Sequence, residues 1–84
     1  AVPVIQNLRA KADAIRQAEL DHLLHRLPEL DEHQRQLLDE FSHRLINKLL
    51  HHPTLRLKAQ TAEGQGELYA SVVDDLFDLM ATQP

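Results

Sequence analysis

Six histidines are the first residues to weigh for chemistry. His22 and His25 lie three apart, with Asp21 beside them, and can share one helix face. Glu-x-x-His occurs twice, as Glu19–His22 and Glu40–His43. In helical bundles two such pairs, plus a lone Glu from each of two further helices, can hold two metal ions when all project inward. Turned by ~100° per residue, His22 and His43 instead fall off the leucine stripes of their helices and face solvent. There is no His-Glu-x-x-His segment. The absence of cysteine removes thiolate ligands, thiol nucleophiles and disulfides. We therefore expect no metal site and read His43 with Asp39 as an ordinary pair at four-residue spacing. His51 is expected at a helix C-terminus, where a cationic side chain is favoured.

Arg44, Lys48, Arg56 and Lys58 form the main basic concentration. Single-strand binders interleave such charges with stacking aromatics, and none stand here. The formal charge of −4 also argues against nonspecific nucleic-acid binding. The run Asp74-Asp75-x-x-Asp78 reads as solvent-facing, not as an acid/base pair. Ser42, Ser71, Thr54, Thr61 and Thr82 sit in no nucleophile motif, and Thr54 is expected to bond a helix-end backbone group. No Gly-rich phosphate loop is present. Nothing in the chain carries a reaction by itself.

The remaining residues build helices. Leu and Ala dominate, with Glu, Lys, Arg and Gln between them, and these are good helix formers. At 84 residues the chain suits one small domain, and such a chain buries only roughly 60–65% of its surface. No apolar run approaches the ~20 residues of a membrane span, and no signal peptide is visible. The chain opens on Ala, and we expect it to be part of a longer protein.

Residues 3–26 read as one helix with Pro3 at its first position. Ile5, Leu8, Ala12 and Ile15 recur on one face, continued by Leu20, Leu23, Leu24 and Leu27. Arg9, Lys11, Asp13, Arg16, Gln17 and Asp21 fill the polar positions between. Pro28 ends this helix, and Asp31 with Gln34 resembles a capping box for the next. The second helix is predicted over 32–51, with Leu37, Leu38, Phe41, Leu45, Ile46, Leu49 and Leu50 as its stripe. Pro53 lacks an amide hydrogen and disfavours helical geometry at His52, so a helix break is expected there. A third helix follows over 53–63, with Pro53 as hinge. Gly64 suits the position after its C-terminus, and Gln65-Gly66 reads as a flexible link. A last helix is predicted over 67–81, bearing Leu68, Tyr69, Val72, Val73, Leu76, Phe77 and Met80, with a frayed end beyond.

The expected fold is all-α: a small helical bundle of a long first helix, second and third helices broken at Pro53, and a final helix, completed by dimerisation. The first stripe is longer than an 84-residue monomer covers comfortably. Ile5, Leu8, Ala12, Ile15, Leu37, Phe41, Leu45 and Leu49 are the predicted core, within the chain or between copies. Asn47, among apolar neighbours, either fixes register in an interface or points to solvent.

The stretch Asn47-Lys48-Leu49-Leu50-His51-His52-Pro53-Thr54-Leu55-Arg56-Leu57-Lys58 resembles a segment near the C-terminus of glutamyl-tRNA reductases. So do Pro3-Val4-Ile5-Gln6-x-Leu8-Arg9, Ile15, Glu19-Leu20, Gly66-Glu67-Leu68-Tyr69 and Leu76-Phe77. The resemblance implies a C-terminal homodimerisation domain. Residues 1–27 would end a long spinal helix and 31–81 form the dimerisation module. It implies a parent enzyme that uses NADPH to reduce glutamyl-tRNA to glutamate-1-semialdehyde for tetrapyrrole synthesis, in the cytoplasm or, in a plant, the plastid stroma. The nucleophilic cysteine and the NADPH site of that family have no counterpart in this chain. Two rival readings are a helical adaptor for an unrelated protein and a small RNA-binding helical module.

Overall fold

The computed structural model describes residues 2–79. It holds three helices, α1 (Val2–Arg26), α2 (Glu32–Ala62) and α3 (Gly66–Phe77), and no strand among the described residues. α1 and α2 form a hairpin. α3 folds back across the end where α1 starts and α2 finishes.

The joints follow from local chemistry. Asp31 accepts a hydrogen bond from the Gln34 backbone N–H at 2.8 Å, and the Gln34 side chain accepts one from the Asp31 N–H at 3.0 Å. This is the expected capping box, and it satisfies two donors that a helix start leaves open. At the far end of α2, Gly64 has φ +83°, a conformation that glycine enters without steric cost. Its N–H reaches the Thr61 carbonyl at 3.1 Å, and the Gln65 N–H reaches that of Gln60 at 2.7 Å. That pair of bonds is a Schellman turn.

Gly66 opens α3 instead of lying in a loose link. A Cβ there would meet Thr61 Oγ1 at 2.9 Å and Thr61 Cα at 3.2 Å, so the small residue sets how closely α3 approaches α2. α3 stops at Phe77, short of the predicted 81, because Asp78 takes the left-handed conformation (φ 57°). The turn sends Leu79 inward, where it is 1% exposed. Met80, Ala81 and the end expected to fray lie outside the described residues.

The predicted break at Pro53 does not occur. α2 runs unbroken from Glu32 to Ala62 with Pro53 inside it. The second and third predicted helices are therefore one. His51 and Thr54 stand within this helix and not at an end, so neither has the terminal role expected of it. A proline inside a helix costs about 3 kcal/mol. Leu50 and Leu57 flank it and are 4% and 3% exposed. Burying each contributes about 1.5–3 kcal/mol, enough together to hold the helix through the defect.

The core lies where three helices meet. Val4 and Leu8 of α1, Leu50 and Leu57 of α2, and Leu79 are buried together, with Ile5, Ala12, Ile46, Ala70 and Val73 packed around them. The other half of the hairpin has no third helix, and of its apolar residues Leu20 is buried while Ile15, Leu23, Leu37, Phe41 and Leu45 stay open to water. The shape reflects this. The radius of gyration is 15.7 Å, against about 12 Å for a compact domain of this length.

Two substitutions check this account, each read by urea unfolding at one fixed protein concentration. Leu57→Ala should cost about 2–5 kcal/mol, since it empties the centre of the three-helix junction. Pro53→Ala should stabilise by about 2 kcal/mol, the helix penalty removed less the unfolded-state rigidity lost. A neutral or destabilising Pro53→Ala would show that the ring makes packing contacts worth more than its helix defect.

Candidate association surface

α2 carries two adjacent apolar rows, each at four-residue spacing. The inner row, Leu38, Ser42, Ile46 and Leu50, turns toward α1. The outer row, Leu37, Phe41, Leu45 and Leu49, is 51%, 62%, 56% and 67% exposed. A helix stripe this wide needs neighbours on two sides, and α1 supplies one. On α1 the inward row is Val4, Leu8, Ala12, Arg16 and Leu20. Ile15 and Leu23 sit beside it, both substantially exposed.

The predicted core residues therefore divide. Leu8 is in the core of the chain, and Ile5 and Ala12 pack against it. Ile15, Leu37, Phe41, Leu45 and Leu49 are exposed within a single chain. Between the helices runs a groove of about 310 Å³, lined by Ile15, Leu20, Leu23, Leu38, Phe41, Leu45 and Ile46, with Arg16, Glu19 and Ser42 as its polar residues. It can receive side chains as well as water.

Arg16 is the polar residue that periodicity misassigned. Its type sets it among the polar positions between the stripe residues, yet it is 8% exposed. Every four residues from Val4 the inward row passes through position 16, and that spacing was the signal. All three guanidinium nitrogens are engaged. Its Nε donates to Asp13 Oδ1 at 2.8 Å, its Nη1 to Asp39 Oδ1 and Ser42 Oγ at 3.2 Å each, and its Nη2 to Gln17 Oε1 at 3.0 Å. Two carboxylates from two helices thus neutralise one cation. Asp39 also meets His43 Nδ1, at 3.5 Å from its carboxylate and 3.0 Å from its backbone carbonyl. This is the pair expected from spacing. Further up the hairpin Arg9 donates to Asn47 Oδ1, so Asn47 is exposed but tied to α1 of its own chain.

Among the described residues no group of three His, Asp or Glu side chains is placed to hold a metal ion. His22 and His25 are exposed. No described helix is long and apolar enough to cross a membrane. The described residues form no strand–glycine loop–helix unit, and Gly64 and Gly66 serve a helix joint.

These features define a helical association module: a hairpin with a part-built core, an uncovered apolar groove and no reaction centre among the described residues. The comparisons agree. Residues 1–79 match the family described as glutamyl-tRNAGlu reductase, dimerisation domain, and the chain belongs to it. It is similar to the glutamyl-tRNA reductase of Chloroflexus aurantiacus, 43% identical over 79 residues, covering 94% of this chain and 18% of that protein. It is similar to that of Salinispora tropica, 40% identical over 81 residues, covering 96% of this chain and 18% of that protein. The Myxococcus xanthus enzyme is 39% identical over 79 residues, 93% of this chain and 18% of its own length. The chain thus spans less than a fifth of these relatives. No solved structure matches it.

The Asp13–Arg16 contact gives a pH signature. The hydrogen bond from Arg16 holds the Asp13 carboxyl below its ordinary range, against a smaller opposing effect of lost hydration, and the charges of Arg16, His43 and Arg9 act in the same direction as the bond. Asp13 in the unfolded chain titrates near ~3.9. Its contribution is therefore full above about pH 4 and fades as pH falls through the lower folded value. Asp13→Asn should lower stability at about pH 6 and make little difference at about pH 2, as read by urea midpoints. An equal effect at both would mean that the Asp13 charge plays no part.

Proposed function

We propose that this chain is the homodimerisation domain of a glutamyl-tRNA reductase, and that its work is to join two copies of that enzyme in a fixed geometry. The observation that carries the reading is the unfinished core. Ile15, Leu23, Phe41, Leu45 and Leu49 lie open on a chain whose family is described as a dimerisation domain. Residues 1–27 are then the end of a spinal helix that continues upstream, and residues 31–81 the module that docks. α1 serves both parts, since Val4 and Leu8 lie in the shared core.

On this reading the reaction belongs to the rest of the protein. The parent enzyme reduces glutamyl-tRNA to glutamate-1-semialdehyde for tetrapyrrole synthesis, with NADPH bound by an upstream domain. Its compartment is the cytoplasm, or the plastid stroma in a plant. This domain scaffolds and makes no direct contact with nucleic acid.

Light scattering after gel filtration, over a wide dilution range, tests the proposal. The expected mass is twice the 9.6 kDa of one chain, persisting at micromolar concentration. A folded species of single-chain mass throughout the range would overturn the homodimer.

A further inference from the structure

At four-residue spacing the side chains of α3 fall into rows. Two rows turn toward the hairpin, where Ala70 and Val73 pack on the core and Gly66 abuts Thr61. The other two face outward, side by side. One is apolar: Leu68, Val72 and Leu76 are 59%, 48% and 71% exposed. The other is Glu67, Ser71 and Asp75, all exposed. Residues three apart on a helix are neighbours, so Ser71 borders Leu68 and Asp75 borders Val72.

The negative charge here is unmatched. The charged residues from 63 to 79 are Glu63, Glu67, Asp74, Asp75 and Asp78, with no Lys, Arg or His among them. None of these carboxylates enters an ion pair among the described residues. Asp74 Oδ1 is buried and meets no hydrogen-bond donor there. We infer that the outer side of α3 docks an amphipathic helix of another protein, one that bears a basic row beside an apolar row.

Shape selects a helix. A ridge at four-residue spacing packs into the groove of a second helix, and helical ligands present anchors three, four and seven apart. The apolar row spans about 12 Å, enough for one such crossing. Charge selects the sign. Nucleic acid and anionic lipid are repelled by the acidic row, whereas Lys and Arg are drawn to it. An antiparallel copy of α3 sets Glu67 and Asp75 against their own kind and offers no cation. Three apolar side chains make a small contact, of the weak and reversible class. This face lies outside the α1–α2 groove, so it stands whether or not two copies pair there.

Amide NMR titration of the whole 84-residue chain tests the face. The probe is an amidated peptide of three and a half Lys-Leu-Ala-Ala repeats. Its Lys precedes Leu as Glu67 precedes Leu68, so antiparallel docking lays the Lys row on the acidic row. Saturable shifts centred on residues 66–79 are expected. The same peptide with Glu for Lys, or with Ser for Leu, should bind at least about tenfold more weakly. Leu76→Glu should weaken the Lys-Leu peptide at least about tenfold, and Asp75→Lys about threefold or more. Neither should change the mass of the chain in solution. Should Leu76→Glu unfold, which its spectrum shows directly, Asp75→Lys at an exposed position carries the test. No shifts at about 1 mM peptide, equal binding of the Glu peptide, or shifts centred on the α1–α2 groove would each overturn the face. So would a changed mass in folded Leu76→Glu, which gives the row to self-association. A monomeric parent chain would remove the homodimer reading alone.

Discussion

A helix of twelve residues cannot cover one of thirty-one. At 1.5 Å per residue α3 spans about 18 Å and α2 about 46 Å. Everything else in the structure follows from that mismatch. Where α3 lies, the hairpin has the third wall that a bundle core needs, and Val4, Leu8, Leu50, Leu57 and Leu79 close over one another. Beyond its reach the same apolar rows continue with nothing above them. The chain is a finished core joined to an unfinished one, and the rigid length of α2 carries the boundary between them.

Arg16 sits at that boundary. A buried cation is costly to desolvate, and the partners around it mainly offset that cost instead of adding net stability. Its contacts are directional, however. Asp13 and Gln17 come from its own helix, Asp39 and Ser42 from α2. A slide of α1 along α2 by one residue would break the last two and leave Asp13 alone to match the charge. Leucine pairs alone would tolerate such a slide more easily, because dispersion contacts have little directional preference. In the half of the hairpin that lacks a third helix this network ties the two helices in one register, and the Arg9–Asn47 bond adds a tie beside the core.

Much of the fold was legible in the sequence because its signals are local. Asp31 and Gln34 mark a helix start within four residues, and Gly64 marks a helix end through one backbone angle. Pro53 misled because its penalty is local while the forces that outweigh it are not. Leu50 and Leu57 are held by α1 and by Leu79, far away in sequence. Leu79 itself escaped notice for a related reason. On a continued helix it would fall on the exposed row of Leu68, Val72 and Leu76, and it reaches the core only because Asp78 reverses the backbone just before it. Of the surface, the residues were readable but not their division. Periodicity placed the outer row of α2 on the same stripe as the inner one. Only the position of α1 separates Phe41, left in water, from Ile46, packed against the core.

That division links folding to assembly. The three-helix junction holds most of the buried apolar side chains described, so it can persist in a lone chain. The open end has Leu20 and the Arg16 network and little more. Regions with few buried contacts open at lower free energy than the core they adjoin. A partner that covers only the native groove stabilises that end by mass action. On the proposed reading, association through that groove and the ordering of the α1–α2 tip would be one equilibrium. The tip is also where α1 turns back through Pro28 into α2, so any rotation of one helix against the other has to pass through it. A partner seated over the groove would remove that freedom by fixing both helices against one surface.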